Sequence, residues 1–257
     1  QKEAWIFEVY GGTTYAAMKM PTDKVAVFGN QFMIDVVDEN DTENFVFSKN
    51  LFETIDKVGA VKDDGKYNLL KSTSGLTREE YSNMRTWIGH KILAPSSVGA
   101  YSDTELYPLF YAPDKKVSVL EVMDIYRNRY EGTEYDMMKA ENVGRRPIGV
   151  TRSSDIHIIQ TFYDLPADTC QLQHSVFIPA FSGITDTHKS YKIDSNNYNA
   201  NNMYWACKRI CGIAEQDREF LSQGVKDYWK AQETSMYKST IKDVKALKKA
   251  YKKSKKD

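Results

Sequence analysis

The segment "NRYEGTEYD" places three carboxylates, Glu131, Glu134 and Asp136, around one glycine. Two carboxyl groups held close together can act as a general acid and a general base. The segment follows a predicted helix, however, and carboxylates just past a helix end commonly accept hydrogen bonds from nearby backbone amides. We therefore expect these side chains to bind local backbone donors or to pair with Arg127 and Arg129, and not to form a catalytic pair.

A second group of polar residues occupies the segments "FGNQF" and "YSNMRTW". An asparagine amide can donate to an oxyanion, and an arginine can bind a carboxylate through two hydrogen bonds. Asn30 ends a predicted buried strand, where an unpaired amide would cost about 1–3 kcal/mol. We predict that Asn30 and Arg85 face one cleft and act in catalysis. In the alternative, Asn30 bonds its own turn and Arg85 pairs with Glu79 or Glu80 on the helix surface. The predicted substrate-binding residues are Asn83, Gln31 and Trp87.

The cysteines and histidines make a weaker case for chemistry. Cys170 and His174 could form a thiol nucleophile and its base, but such a pair close in sequence often arises by chance. Cys207 and Cys211 share one helix face and are expected to be small core residues, and His157 lies in an apolar run typical of a core histidine. No histidine pair has metal-ligand spacing and no phosphate-binding loop or Gly-x-Ser-x-Gly elbow is present, so we expect no metal and no cofactor.

The composition is that of a protein with an ordinary apolar core. The chain has 257 residues, of which 41% are hydrophobic, and its 35 basic and 35 acidic residues give a net charge of zero. Zero net charge argues against a nucleic-acid partner bound through the overall field. No apolar window of about 18 residues is present, so we expect no transmembrane segment. We predict a single domain over residues 1–257, ending in a basic helical tail over about 235–257.

Five strands are predicted, over residues 3–10, 13–20, 24–30, 155–163 and 174–181. The first two flank Gly11-Gly12, which favours a β-hairpin because glycine tolerates the positive φ of a tight turn. The third is apolar on both faces, which is typical of a strand buried inside a layered structure. Strands and helices come in blocks, which indicates an α+β fold.

The helix predictions rest on capping signals. Ser48 is predicted to cap a helix that Gly59 closes, and Thr77 with Glu80 forms a capping box for "REEYSNMRTWIGHKIL". A second capping box, Ser118 with Glu121, begins a helix that we predict to end at the glycine of "YEGTEYD". "NANNMYWACKRICG" predicts a short helix, and the pattern is helical from residue 214 almost to the end. The aromatic loop 96–112 is predicted to shape a pocket.

The order of five motifs carries a family resemblance. "AWIFEVYGGTTYAAMKMPTDKVAVFGNQFMI", "EYSNMRTW", "NRYEGTEYD", "RRPIGVTRSSDIHIIQ" and "FIPAFSGITDTHKSY" followed by "MYWACKRI" resemble, in this order, segments of the dipeptidase A family, relatives of the secernins. That family belongs to the N-terminal-nucleophile (Ntn) hydrolases, kin to bile-salt hydrolases and penicillin V acylases. The resemblance implies an αββα sandwich of antiparallel sheets, and it implies that "EGTEYD" is a structural turn near the substrate cleft.

The resemblance also implies a cysteine nucleophile at the N-terminus of the mature protein, whose own α-amine acts as the base. This chain begins with Gln1, which has no nucleophilic side chain. We therefore expect the chain to be the C-terminal part of a dipeptidase, incomplete as a sandwich and inactive alone, with a small peptide as substrate. The alternative is a non-catalytic peptide- or ligand-binding protein on the same scaffold. We also expect either a retained N-terminal segment or a homo-oligomer formed through an open strand edge.

Overall fold

The computed structural model describes residues 3–74, 80–150, 153, 156–160, 165–169, 174–180, 186, 188–192 and 197–254. The chain divides into two compact units, Gln1–Val117 and Ser118–Asp257. The described residues form six α-helices and three antiparallel sheets of three short strands each. The predicted α+β class is confirmed. In the described chain no helix combines the length and the apolar character needed to cross a membrane.

The first unit begins with the predicted hairpin. Strands β1 (Trp5–Gly11) and β2 (Thr14–Lys19) pair in antiparallel register, and β4 (Phe45–Phe47) adds to the other edge of β2. Gly11 and Gly12 adopt φ values of 126° and 54° in the turn, which is the conformation that favours glycine there. The hairpin prediction is confirmed.

Residues alternate between the two faces of this sheet, as the pleat requires. Ile6 and Tyr10 of β1 pack against the core of the first unit, while Phe7 and Val9 are 57% and 51% exposed. Among the described residues, one core cluster comprises nine buried residues, which are Ala16, Met33, Ile34, Val37, Leu51, Ile55, Tyr67, Leu69 and Leu109.

Helix α1 (Leu51–Val58) begins later than predicted. Its N-cap is Asn50, and Gly59 ends it in the left-handed conformation as expected. Ser48 does not cap the helix because its Oγ accepts a hydrogen bond from the backbone amide of Tyr15, at 3.0 Å. The serine thus ties the start of α1 to strand β2.

A second small sheet completes the strands of this unit. It contains β3 (Val36–Val37), β6 (Lys66–Asn68) and β5 (Lys62–Asp63), in that spatial order. Helix α2 (Leu69–Ser74) follows β6 directly and buries Leu69 and Leu70.

The predicted strand 24–30 is wrong. Of these residues, all of which the structure describes, only Val25 forms a β-bridge, with Tyr111. The segment instead lies against helix α3 (Glu80–Leu93). An apolar run buried against a helix looks the same in sequence as one buried in a sheet. The proposed cap at Thr77 lies outside the described residues, and the loop after α3 contains only a short 3-10 helix, Pro95–Ser97.

The second unit begins with helix α4 (Val119–Tyr126). Its predicted capping box is confirmed: Ser118 Oγ accepts from the Glu121 amide at 3.2 Å, and the Ser118 amide donates to Glu121 Oε2 at 2.8 Å. The predicted helix end at Gly132 is wrong, because the helix ends at Tyr126. Gly132 does have a positive φ of 77°, but it lies in the turn that follows.

The third sheet contains β7 (Ile156–Gln160), β8 (Leu165–Thr169) and β9 (Ile178–Pro179). Strand 155–163 is thus confirmed over residues 156–160, and the rest of that prediction lies outside the described residues. Within its described part, 174–180, the predicted strand 174–181 is reduced to two residues. Side chains take the place of strand partners before β9, since Arg127 donates to the Ser175 carbonyl and Glu233 accepts from the Phe177 amide. His157 is exposed, so its prediction as a core histidine is wrong.

Two helices end the chain. Helix α5 (Met203–Ala214) confirms the predicted short helix, with Asn202 as its N-cap. Helix α6 (Arg218–Ser254) then runs for 37 residues and includes most of the basic tail.

Candidate functional site

A close contact between residues 27–31 and helix α3 builds the candidate site in the first unit. A Cβ atom on Gly29 would lie 2.8 Å from the Ser82 carbonyl oxygen, and a Cβ atom on Gly89 would lie 2.3 Å from Val27 Cγ1. Only glycine lets the two backbones approach this closely. The Gly29 amide also donates to Thr86 Oγ1 at 3.4 Å, so the segment is fixed against the helix.

Arg85 and Asn30 form one hydrogen-bonded group on this contact. Arg85 Nη1 donates to Asn30 Oδ1 at 3.0 Å, and Nη2 donates to Ser82 Oγ at 3.3 Å. Ser82 Oγ in turn donates to the Asn30 carbonyl at 3.1 Å. The guanidinium is further held by Tyr81, whose carbonyl accepts from Nε at 3.0 Å and whose ring centroid lies 4.9 Å from Cζ.

This group fixes the orientation of the Asn30 amide. A guanidinium has only donors, so the amide atom that faces it must be the oxygen. The amino group, Nδ2, is therefore the amide atom that does not face the guanidinium, and it is a donor.

The side-chain amide of Gln31 is oriented by its amino group, whereas that of Asn30 is oriented by its oxygen. Its Nε2 donates to Thr86 Oγ1 at 3.1 Å and to Met33 Sδ at 3.2 Å. Because the amino group is used inside the protein, the Oε1 end of Gln31 is the acceptor that remains. Asn30 and Gln31, which are neighbours in the chain, thus present one donor and one acceptor.

Asn30 and Gln31 line a cleft of about 770 Å³ in the first unit. The other lining residues are Phe7, Glu8, Val9, Phe28, Gly29, Phe32, Thr73, Ser74 and Ser82. Four of these side chains are large and apolar, which is typical of pockets that bind small organic ligands through a few polar groups.

The structure changes two details of the predicted site. Asn30 is exposed, so the argument that it must offset the cost of burial is wrong. Arg85 is partly buried and is not among the residues that line the cleft in the described chain. The structure nevertheless brings the two residues together, because Arg85 is hydrogen-bonded to Asn30.

The sequence analysis missed Glu8, a buried carboxylate in the cleft wall. Its Oε1 accepts from the Met33 and Ile34 amides, at 2.5 and 3.1 Å, and its Oε2 accepts from the Tyr10 hydroxyl at 2.9 Å. Burial, followed by the charge of Glu8, raises the pKa of Tyr10, so the phenol stays a donor. The signal in the sequence was a charged residue on the inward-facing side of an alternating strand.

Asn83 and Trp87 hold the aromatic loop and do not line this cleft. Asn83 Nδ2 donates to the carbonyls of Ser102 and Glu105, at 3.3 and 3.1 Å. Trp87 Nε1 donates to the Gly99 carbonyl at 3.1 Å. Both side chains are at least 97% buried, so their described contacts fix the loop in place.

The segment "NRYEGTEYD" forms a turn in the second unit, as expected. Thr133 Oγ1 donates to the Tyr130 carbonyl at 2.7 Å, and Asp136 accepts from the amides of Gly132 and Met138. Glu131 likewise accepts from the Arg129 amide at 2.5 Å. The prediction that the carboxylates of this segment bind local backbone donors is confirmed for Glu131 and Asp136.

Among the described residues, Arg127 and Arg129 pair with distant carboxylates and not with those of the turn. Arg127 binds Glu233 of α6 through both terminal nitrogens, and both residues are almost fully buried. Arg129 Nη1 lies 3.0 Å from Glu215 Oε1. The expected pairing within the turn is therefore wrong for both arginines.

Comparison with known protein families identifies the family of this chain. The sequence profile of Peptidase family C69 matches residues 1–231. The chain belongs to peptidase family C69. The resemblance to the dipeptidase A family is thereby confirmed.

Relatives of this family C69 chain carry dipeptidase names. It is 29% identical over 229 residues to Probable dipeptidase B of Streptococcus pyogenes serotype M1, covering 80% of this chain and 46% of that protein. It is 29% identical over 238 residues to Probable dipeptidase B of Lactococcus lactis, covering 84% and 50%. Dipeptidase A of Lactobacillus helveticus is 25% identical over 226 residues, covering 82% and 47%. The chain spans about half the length of the curated relatives it matches.

A separate cluster in the second unit of this family C69 chain could hold a metal. His174 Nδ1, Cys211 Sγ and a Glu215 carboxylate oxygen lie within 4.8 Å of one another. Burial lowers the pKa of His174 to about 4, although Glu215 opposes this shift. Cys170, which was considered as the partner of His174, lies outside the described residues.

Proposed function

We propose that this chain supplies the substrate cleft of a dipeptidase whose nucleophile is an N-terminal cysteine contributed by a segment outside these 257 residues. The observation that carries the proposal is the Arg85–Asn30–Ser82 group at the edge of the cleft. Family membership and the dipeptidase names of the relatives support the reaction class.

The two fixed amides match the polar groups of a peptide bond. Asn30 Nδ2 donates to the substrate carbonyl oxygen, and Gln31 Oε1 accepts from a substrate N–H. As the thiolate attacks the carbonyl carbon, negative charge grows on the oxygen, and a donor that is already oriented stabilises this charge without reorganising. Arg85 acts through Asn30 by holding its amide in the donating orientation.

The apolar walls of the cleft suit the side chains of a small peptide. Phe7, Val9, Phe28 and Phe32 line it, and burying apolar surface stabilises a bound ligand by roughly 25 cal/mol per Å². The cleft volume of about 770 Å³ lies within the range of small-molecule sites.

The nucleophile segment is part of the same proposal. The cysteine thiol loses its proton to the α-amine of the same residue, and the sulfur then attacks the peptide carbonyl. We assign the three small antiparallel sheets to an αββα sandwich that this segment completes. Residues 1–257 then form one part of a single Ntn-hydrolase-like domain.

The test uses the protein expressed from its complete reading frame. Asn30→Ala is expected to lower kcat for dipeptide hydrolysis by about 100-fold or more, which is the usual effect of removing one oxyanion donor. The matched control is Asn40→Ala, which removes an exposed asparagine outside the cleft and is expected to leave kcat unchanged. Equal activity of the two variants would overturn the assignment of Asn30.

The same assay separates the alternative function. A full-length protein that binds dipeptides but does not hydrolyse them would be the non-catalytic binding protein on this scaffold. The 257-residue chain alone is expected to be inactive. Robust turnover by this chain that is lost in Cys170→Ala would show that an internal thiol is the nucleophile.

A further inference from the structure

Three side chains with metal-binding atoms converge in the second unit, from two separate parts of the chain. Cys211 and Glu215 lie one helical turn apart at the end of α5, so both side chains lie on the same side of the helix. His174 lies just before β9. We propose that His174, Cys211 and Glu215 bind one divalent cation of the zinc type.

The geometry of His174 points to this role. The side chain is fully buried, and its Nε2 lies 3.0 Å from Ser222 Oγ on α6. Its Nδ1 has no hydrogen-bond partner among the residues that the structure describes. The tautomer that donates from Nε2 to Ser222 leaves the Nδ1 lone pair directed at the other two ligands. Such a hydrogen bond from the second ring nitrogen is the usual support of a metal-bound histidine.

Two hydrogen bonds to backbone carbonyls fix the position of His174. Trp229 Nε1 donates to the His174 carbonyl at 2.9 Å. Arg127 donates to the next carbonyl, that of Ser175, at 2.8 Å. Because Trp229 lies on α6 and Arg127 caps α4, the backbone that carries the imidazole is held by regular elements, which is what a preorganised site requires.

The donor atoms favour zinc over magnesium or calcium. Imidazole nitrogen, thiolate sulfur and carboxylate oxygen are the ligands that Zn²⁺ takes, at about 2.0–2.3 Å, whereas magnesium and calcium prefer oxygen alone. His174 Nδ1 and Glu215 Oε1 are 3.8 Å apart, close to the separation of about 3.5 Å expected for two ligands of one tetrahedral ion. On binding, the Cys211 S–H bond breaks, the proton leaves to solvent and a sulfur–zinc bond forms.

Arg129 competes with the cation for Glu215. Its Nη1 lies 3.0 Å from Oε1 of that carboxylate, while Arg218 Nε donates to Oε2 at 2.7 Å. A bound cation must therefore displace the Arg129 guanidinium from Oε1. We infer that Arg129 weakens zinc binding and that its removal strengthens it.

The experiment uses the reduced protein expressed from its complete reading frame. Zinc binding is measured by equilibrium dialysis, and cobalt binding by the thiolate-to-cobalt charge-transfer absorption. The wild-type chain is expected to bind one ion. Cys211→Ser and His174→Gln are expected to lose the site, and Ser222→Ala to weaken it by about 10- to 100-fold. Cys207→Ser is the matched control because it removes a second buried cysteine, one turn earlier on α5, and is expected to bind normally.

Two results would overturn the proposal. One is the absence of cobalt–thiolate absorption in the wild-type chain. The other is equal zinc binding by the wild type and by a Cys211→Ser chain whose circular dichroism shows that it is folded. Arg129→Gln is expected to bind zinc several-fold more tightly, and weaker binding by this variant would contradict the placement of the ion at Glu215. The site is independent of the proposed dipeptidase activity.

Discussion

The contact between Gly29 and helix α3 gives a sharp prediction for the cleft. In Gly29→Ala, the new Cβ would lie 2.8 Å from the Ser82 carbonyl oxygen and 2.9 Å from Ser82 Cα, whereas ordinary contact begins at 3.4 Å. The neighbouring atoms are backbone, so segment and helix must separate by about 0.6 Å. Overpacking of this kind costs about 1–3 kcal/mol. We expect Gly29→Ala to lower the free energy of unfolding by about 2 kcal/mol.

Gly99→Ala is the matched control. A Cβ atom there meets no heavy atom within 4 Å, and neither glycine has a φ in the left-handed region. Alanine reduces the entropy of the unfolded chain, so Gly99→Ala is expected to be neutral or to stabilise by about 0.4–1 kcal/mol. Both variants are measured by urea denaturation of the same chain. Equal stability of the two variants would refute the close approach of residues 27–31 to α3.

Two further predictions concern buried charge and pH. Glu233→Leu is expected to lower the free energy of unfolding by about 3–5 kcal/mol because it leaves the buried Arg127 without its carboxylate. Asp124→Ala breaks the exposed ion pair with Lys230 and is expected to cost less than about 1 kcal/mol. Equal losses in urea denaturation would contradict this prediction. Burial lowers the pKa of His90 in the folded protein, so the unfolded chain binds a proton at this histidine more readily. The free energy of unfolding is therefore expected to decrease as the pH falls below about 6.5. The stability difference between the wild type and His90→Gln is therefore expected to shrink from about pH 7.5 to 5, and a constant difference would refute it.

Two local signals in the sequence predicted the local structure correctly. The hairpin at Gly11-Gly12 and the capping box of Ser118 with Glu121 both depend on residues within a few positions of each other. Turn and cap geometries are set by such short-range hydrogen bonds and by φ preferences. For that reason they can be read without knowledge of the tertiary structure.

Long-range contacts account for several of the failures. Residues 24–30 pack on α3, which lies more than 50 residues later in the chain. Arg127 follows the last residue of α4 and pairs with Glu233, a residue 106 positions away. No local pattern encodes such a partner, and tertiary contacts routinely override a local propensity.

The sequence likewise predicted only part of the candidate site. Residue type and position indicated Asn30 and Arg85, and the structure places the two within hydrogen-bonding distance. Which of them lines the cleft depends on how the segment crosses α3, which the sequence does not reveal. Glu8 was missed because its partners, the amides of Met33 and Ile34, are 25 and 26 residues away.

A double-mutant cycle on the full-length protein tests the central claim most directly. The kcat/KM for dipeptide hydrolysis is measured for the wild type, Asn30→Ala, Arg85→Lys and the double variant. Lysine keeps the charge but cannot reproduce the planar fork of donors that orients the Asn30 amide. If Arg85 acts through Asn30, the double variant is expected to be no less active than Asn30→Ala alone. Losses that multiply, or an Arg85→Lys variant with full activity, would contradict the claim that the two residues form one functional unit at the cleft.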